Sequence, residues 1–273
     1  MDIDIFVLEK TDHKYFEALF RGDLDAAGET GIVFGAVADG EPAGLAVLEV
    51  HHADRSCWLN WLYVRTEKRN NGIGSKLLFF IRSKLAQTMQ ISSVKAFCID
   101  EEQKAFFETR GFSIRELSDS HIWEGRLSDL KELPGTERRN TGRPLATLTE
   151  EELRVVEEAL SVDPNALPYH PDPRTCLPQS AVCLTKEGLL ALLVLEDEED
   201  ALVVSYAYAK QGNGAALMQL LVEAKESVQS FMTPETLIRI TTVNQNSEKL
   251  VKKLLPGAEM RPVFLAESDL LTA

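Results

Sequence analysis

Residues 62–78 read LYVRTEKRNNGIGSKLL, and this stretch decides the fold that the sequence predicts. It begins as a strand, turns at Gly72 and Gly74, and continues as a helix. Glycines at a helix start let the backbone approach a ligand closely, and the first helical amides have no internal partners. The helix dipole adds positive potential there, so the stretch predicts a pyrophosphate site. The apolar residues that recur at helical spacing after the turn are Ile73, Leu77, Leu78, Ile81 and Leu85.

Two other phosphate-binding loops do not fit this stretch. The G-x-x-x-x-G-K-[ST] string of a P-loop does not occur in the sequence. A dinucleotide fingerprint needs G-x-G-x-x-G/A, but Leu77 occupies the third glycine position. The turn also follows a hairpin and an extra strand, whereas a dinucleotide fingerprint lies inside a βαβ unit.

The flanking sequence predicts the same order of elements twice. Hairpin signals stand at Asp39-Gly40 in the first half and at Glu187-Gly188 in the second. In both halves a third strand, a glycine turn, a helix, another strand and another helix follow. This order indicates an internal duplication with a period of about 140 residues. Residues 131–144 hold two prolines, two glycines and four basic residues, which predicts a linker over 131–143 between domains 1–130 and 144–273.

The turn carries a family resemblance. Arg69, Gly72 and Gly74 follow the strand end L-Y-V and match R/Q-x-x-G-x-G/A. This pattern resembles motif A of the GNAT superfamily of acyl-CoA-dependent N-acyltransferases. Downstream, Asp100 lies near the Asn position and Phe107 at the Tyr position of the family's N-x-x-A-x-x-L-Y-x-x-x-G-F pattern. The resemblance implies an α/β (α+β) fold, with a mixed, largely antiparallel twisted sheet flanked by helices in each domain.

The second half resembles the same family more faintly. Gln211, Gly214 and Ala216 give Q-x-x-G-x-A, although Gly212 and Gly214 are an alternative aligned pair. Asn244 occupies the Asn position, and Val251 stands where Tyr would be. The chain is therefore similar to a tandem GNAT protein whose C-terminal domain is degenerate.

The resemblance implies acetyl-CoA as co-substrate and transfer of its acetyl group to a primary amine by direct attack. It also implies that residues 69–75 cradle the pyrophosphate, and that backbone groups bind the pantetheine arm where the strand over residues 56–64 splays from its neighbour. The implied cofactor-binding residues are Leu62, Val64, Arg69, Asn70, Asn71, Gly72, Ile73, Gly74 and Ser75. The alternative is an acyl-CoA-binding regulatory or scaffold protein that has lost catalysis.

The sequence leaves several candidates for the general base. Many family members place a Glu four or six residues before the Val, and those slots hold Asn60 and Trp58. Glu49, His51 and Asp100 are the nearby alternatives. In the second half, aligning Gln211 with Arg69 puts Tyr206 in the place of Val64 and Asp200 in an acid slot.

The general acid is equally open, because Phe107 cannot protonate a leaving thiolate. Tyr63, Tyr206 and Tyr208 are alternatives for this role. Trp58, Trp61 and Tyr63 are also candidates to line an acceptor pocket. Strict strand alternation predicts Trp61 and Tyr63 on one face, with Trp58, Leu62 and Val64 on the other.

Composition limits the partners. The 273 residues carry a net charge of −14, which disfavours nucleic acid and anionic membranes. No apolar run reaches the roughly 20 residues that span a bilayer, and the start lacks a basic signal-peptide region. The four cysteines form no C-x-x-C pair, so neither disulfides nor a metal site is expected. We expect a cytoplasmic protein acting on a small-molecule or peptide amine, with a homodimer left open.

Overall fold

The computed structural model describes residues 2–20, 24–88, 90–131, 142–163, 176–198 and 201–270. The chain forms two compact units. Unit 1 comprises Met1–Ser118 and Pro262–Ala273, and unit 2 comprises Asp119–Arg261. Most of the predicted linker, residues 132–141, lies outside the described residues. The domain ranges 1–130 and 144–273 therefore stay a prediction.

The first half of the sequence contains six strands and four α-helices within the described residues. They are β1 (Ile3–Val7), α1 (His13–Phe16), α2 (Leu24–Thr30), β2 (Gly31–Ala38), β3 (Glu41–His51), β4 (Ser56–Val64), α3 (Ile73–Thr88), β5 (Ser93–Cys98), α4 (Glu101–Glu108) and β6 (Ser113–Arg126). Short 3₁₀ turns lie at Glu17–Leu19, Thr66–Lys68 and Leu127–Asp129.

The described elements of the second half are β7 (Arg143–Pro144), a 3₁₀ turn (Leu145–Thr147), α5 (Glu150–Val162), β8 (Ala181–Thr185), β9 (Gly188–Asp197), β10 (Ala201–Ala209), α6 (Gly214–Gln229), β11 (Leu237–Thr242), α7 (Gln245–Leu254) and β12 (Glu259–Asp269). This half repeats the order of the first, with β9, β10, α6, β11 and α7 in the places of β3, β4, α3, β5 and α4.

Unit 1 is built on a sheet in which the strands follow the order β1-β2-β3-β4-β5-β12. The β4–β5 pair is parallel, and the others are antiparallel. Asp39 and Gly40 connect β2 to β3 with positive φ angles of 55° and 83°, the conformation of a tight hairpin turn. The predicted hairpin and the mixed, largely antiparallel sheet are therefore confirmed.

Two hydrophobic cores cover the opposite faces of this sheet. The α3 core includes Leu48, Cys57, Leu59, Leu62, Val64, Leu77, Leu78 and Ile81. The α1 core includes Phe16, Leu19, Leu45, Val47, Trp61 and Tyr63. Gly44 lets α3 approach β3, since a Cβ there would lie 2.9 Å from Leu77 Cδ1. Burial of the predicted apolar stripe fixes the orientation of α3, and with it the position of the glycine turn.

Unit 2 has a sheet in the order β6-β11-β10-β9-β8-β7, with β10 and β11 parallel. The strand that completes each sheet comes from the other half of the sequence. In unit 1, β12 pairs with β5 and places Phe264 opposite Cys98. In unit 2, β6 pairs with β11 and places Arg126 opposite Leu237. The sequence patterns did not predict this exchange of strands.

Across the described ranges, no helix combines the length and the apolar character needed to cross a membrane.

Candidate functional site

A gap opens between the parallel strands β4 and β5 of unit 1. Their pairing runs from Ser56 opposite Ser93 to Trp58 opposite Lys95. Beyond that pair β4 continues to Val64, while β5 continues to Cys98 along β12. The splay that the family resemblance implied is present in the structure.

A β-bulge lies at the start of this gap. The β3–β4 register passes from Val47 opposite Trp61 to Leu48 opposite Leu59, which leaves Asn60 as the extra residue of β4. The bulge shifts the alternation of side chains. Leu59 and Leu62 both face the α3 core, although they are three residues apart.

Trp58 consequently lies on the opposite face of the sheet from Leu62 and Val64. It packs against Phe97 at a ring-centroid distance of 4.8 Å, and Lys95 Nζ lies 5.8 Å from its ring. The prediction that placed Trp58 on the face of Leu62 and Val64 was wrong, because strict alternation does not survive a bulge. Trp61 and Tyr63 share a face as predicted, and their rings stack at 6.3 Å.

Backbone groups of β4 are directed into the gap. Arg65 N donates to Ala43 O at 3.0 Å. Counting back from Arg65, every second residue of β4 therefore directs its backbone N–H and C=O groups toward β3. Leu62 and Val64 alternate with them and direct their peptide groups away from β3. Arg69 Nε donates to Val64 O at 3.1 Å, and its guanidinium lies over the ring of Tyr63.

The glycine turn presents an open face at the start of α3. Asn70 and Gly72 have positive φ angles of 62° and 78°. Nothing lies within 4 Å of the place where a Cβ of Gly72 would be. The first α3 backbone bond runs from Lys76 N to Gly72 O at 3.0 Å, so the preceding amides lack helical partners. Asn71 Nδ2 closes the turn by donating to Lys68 O and Arg69 O.

Arg110 is a second cation at this helix terminus, and the sequence reasoning missed it. Its Nε and Nη2 donate to Ser75 Oγ at 2.9 and 2.7 Å. The guanidinium stacks on Phe106 at 3.7 Å, and Phe106 in turn lies 3.4 Å from where a Cβ of Gly74 would be. Burial lowers the pKa of Arg110 from its ordinary value. The sequence signal that could have indicated Arg110 is its position directly before Gly111, the glycine of the downstream N-x-x-A-x-x-L-Y-x-x-x-G-F pattern.

The candidate bases have different surroundings. Asp100 caps α4, since its Oδ1 accepts from Gln103 N at 2.7 Å, which gives this carboxylate a structural role. Glu49 lies between two partners: its Oε1 is 3.0 Å from His51 Nε2, and its Oε2 accepts from Asn60 Nδ2 at 3.2 Å. Asp200 lies outside the described residues.

The aromatic candidates are mostly packed. Phe107 is buried in the α3 core and makes edge contacts with Phe106 and Phe112. Tyr208 donates its hydroxyl to Asp163 Oδ2 at 2.6 Å, and its pKa is raised by burial and by this carboxylate. Tyr206 is half-buried beside the core of α5.

Unit 2 repeats the bulge but not the turn. Its register passes from Val194 opposite Tyr206 to Leu195 opposite Val204, so Ser205 is the extra residue. Lys210 N donates to Leu190 O at 2.9 Å, as Arg65 does to Ala43 in unit 1. Matching the bulges puts Ala209 in the place of Val64 and Tyr206 in the place of Trp61. The alignment that put Tyr206 at Val64 differs from this register by three residues.

Comparisons with known proteins agree with this geometry. Residues 29–114 match the family described as "Acetyltransferase (GNAT) domain". No curated protein matches the sequence significantly. Among solved structures, a tandem GNAT protein from the clavulanic acid biosynthesis pathway is similar over 98% of this chain and 99% of that chain, with a TM-score of 0.63 and 13% identity.

Two further solved structures are GCN5-related N-acetyltransferases. The protein from Sphaerobacter thermophilus has a TM-score of 0.52 and 12% identity, over 98% of this chain and 96% of that chain. The protein from Kribbella flavida has a TM-score of 0.53 and 14% identity, over 97% of this chain and 70% of that chain. At these identities the similarity establishes the fold.

Proposed function

We propose that unit 1 is an acetyl-CoA-dependent N-acetyltransferase that acetylates a primary amine by direct attack on the thioester, since residues 29–114 match the family described as "Acetyltransferase (GNAT) domain". The observation that supports this proposal most directly is the position of the β4–β5 gap relative to the glycine turn. The β4–β5 gap, which begins after Trp58 and Lys95, leads to the open turn at Gly72. One extended thioester cofactor can therefore lie along the strand and end with its diphosphate at a helix N-terminus.

Each part of the site has a proposed role. Residues 69–75 hold the diphosphate with free amides and the charge of Arg69, and Arg110 adds a second cation beside Ser75. Gap-facing backbone groups of Leu62 and Val64 hold the pantetheine arm. An amide directed into the gap near the bulge polarises the thioester carbonyl, which is worth roughly 3 kcal/mol of barrier.

The acceptor must reach the thioester as a neutral amine. A lysine-like amine costs roughly 4–5 kcal/mol to deprotonate at pH 7, whereas an α-amine costs about 1 kcal/mol. We propose a small-molecule or peptide amine as acceptor. We place the reaction in the cytoplasm, since Cys57, Cys98 and Cys183 are buried thiols outside any disulfide, as in a reducing compartment. A homodimer stays a prediction.

Isothermal titration of acetyl-CoA into Gly72→Asp tests the proposal, with Gly212→Asp as its matched control. Both glycines have positive φ, 78° and 84°, and both have open space around the missing Cβ. The backbone cost of each substitution is therefore the same, roughly 1–2 kcal/mol. We expect Gly72→Asp to lose at least about tenfold in affinity, because its carboxylate repels the diphosphate, and Gly212→Asp to bind as the wild type does. Equal affinities in all three proteins would reject the placement.

The alternative, an acyl-CoA-binding regulatory protein without catalysis, is favoured by two observations. Phe107 is buried in the core at the position of the family's Tyr, and Trp58 and Asn60 fill the slots where many members keep an acid. Turnover with a panel of amines separates the two functions. Release of free CoA above the hydrolysis background would exclude the alternative.

A further inference from the structure

The two units share a glutamate beside the bulge. In unit 1, Glu49 lies two residues beyond Val47, the partner of Trp61, and accepts a hydrogen bond from the bulged Asn60 at 3.2 Å. In unit 2, Glu196 lies two residues beyond Val194, the partner of Tyr206. The hydroxyl of the bulged Ser205 donates to Val194 O at 3.4 Å, and it lies near enough to Glu196 to lower the pKa of that carboxyl.

The neighbours of this pair have diverged between the units. At positions matched by the bulges, Trp58 corresponds to Val203 and Leu62 to Ala207. Glutamate is depleted in strands, so its presence at one matched position in both repeats is not a consequence of strand propensity. The combination of a carboxylate and a polar bulge residue is therefore a separate feature of the repeat.

The position of Glu49 suits proton transfer in unit 1. Its register partner is Trp58, the last residue of β4 that pairs with β5, so Glu49 lies level with the start of the gap. It shares the face of Val47, opposite the α3 core. Its side chain is 51% exposed, which leaves the carboxylate accessible to an incoming amine. His51 and Asn60 each hold one of its oxygens.

We propose that Glu49 is the proton acceptor of the transferase, with Asn60 and His51 as positioning residues. This inference rests on the proposed function of unit 1. The amine nitrogen forms a bond to the thioester carbonyl carbon, and Glu49 takes the proton that the nitrogen loses. The C–S bond breaks, its electron pair leaves on sulfur, and the thiolate takes up a proton from solvent. Glu49 returns its proton to solvent. In the net reaction the acetyl group moves from sulfur to nitrogen, the amine loses one proton, and the thiolate gains one.

Glu49→Gln and Glu196→Gln form the test pair, assayed with acetyl-CoA and two probe amines, cadaverine and glycinamide. Glutamine preserves the size and the hydrogen bond of Glu49 but cannot take a proton. We expect kcat with cadaverine at pH 7 to fall at least roughly 30-fold in Glu49→Gln, within the range of general-base catalysis. The loss should be smaller with glycinamide, whose α-amine is more often neutral, and smaller at high pH. Glu196→Gln should keep the wild-type rate.

Acetyl-CoA affinity, measured on the same preparations, separates folding and cofactor binding from proton transfer. It should be unchanged in both variants. Turnover of Glu49→Gln at the wild-type rate, or an equal loss in Glu196→Gln, overturns the role of Glu49 while leaving the transferase intact. A wild-type protein that binds acetyl-CoA but acetylates neither probe amine, nor any amine of the wider panel, at any pH overturns the proposed function and the inference together.

Discussion

The connection from strand to helix differs between the two units more than the strands themselves. Both units have a parallel strand pair that separates, a one-residue bulge and a helix of 16 residues. In unit 1 residues 66–72 separate Arg65 from Ile73, the first buried residue of α3. In unit 2 residues 211–215 separate Lys210 from Ala216, the first buried residue of α6.

This difference shows which part of the repeat is constrained by the packing of the hydrophobic core. The helix and the sheet must bury their apolar faces against each other, so their register is retained while side chains change. The exposed turn contributes nothing to that burial and is free to shorten. Residues 211–215 contain no Lys or Arg, so the connection of unit 2 has no counterpart of Arg69, which contacts Val64 O in unit 1. We therefore expect acetyl-CoA to bind unit 1 alone.

The largest expected effect comes from giving unit 1 the turn of unit 2. Replacing residues 66–72 with the Gln-Gly-Asn-Gly-Ala of residues 211–215 keeps the α3 stripe in register, because unit 2 joins the equivalent positions with that sequence. We expect acetyl-CoA affinity to fall at least roughly 100-fold, about 2.7 kcal/mol, in isothermal titration. The thermal midpoint should stay within a few degrees of the wild type. A chimera that binds normally would show that the turn is not the diphosphate site.

A smaller effect, on thermal stability, is expected from replacing the matched glutamate of unit 2, Glu196. Burial raises the pKa of Glu196, the hydroxyl of Ser205 lowers it, and Glu198 raises it, with a net increase. The native state therefore disfavours the charged form, a cost that is present above the raised pKa and absent below the ordinary value. Glu196→Gln should raise Tm by roughly 1–3 °C at pH 7.

This gain should shrink as the pH falls through the raised pKa and disappear near pH 4. Calorimetry across that range gives the measurement. Glu49→Gln is the control, since Glu49 is half exposed and the substitution removes the carboxylate that contacts His51 Nε2, so no gain is expected. A gain in Glu196→Gln that does not depend on pH would contradict the account.

The smallest effect concerns the cysteines. Burial raises the pKa of Cys57 to about 12 and of Cys98 to about 11, and the charges of Glu49 and Asp100 act in the same direction. Cys183 is buried and its pKa is also raised, whereas Cys176 is half-buried. A thiol reagent at pH 8 should modify Cys176 first, without loss of acetyl-CoA affinity. Peptide mapping that finds Cys57 labelled first would contradict this burial.

The sequence predicted the local elements well because their signals are local. The hairpin at Asp39-Gly40 and the stripe of α3 are read from turn residues and from helical spacing. The face of Trp58 was mispredicted because the bulge at Asn60 has no signature of its own in the pattern. Arg110 was missed because its contact with Ser75 joins two elements 35 residues apart. The exchange of β6 and β12 depends on strand pairing between distant segments, which periodicity does not encode.

The exchanged strands also constrain the order of events during synthesis. β5 finds its β12 partner only after the whole second half of the sequence has been translated, since Cys98 pairs with Phe264. Until then a nascent first half exposes an unpaired sheet edge, a site for misassociation on the ribosome. Contacts this far apart along the chain also slow folding. The two halves of the sequence can therefore complete their folding only together. Gene fission into separate polypeptides would leave the first half without β12 and the second half without β6.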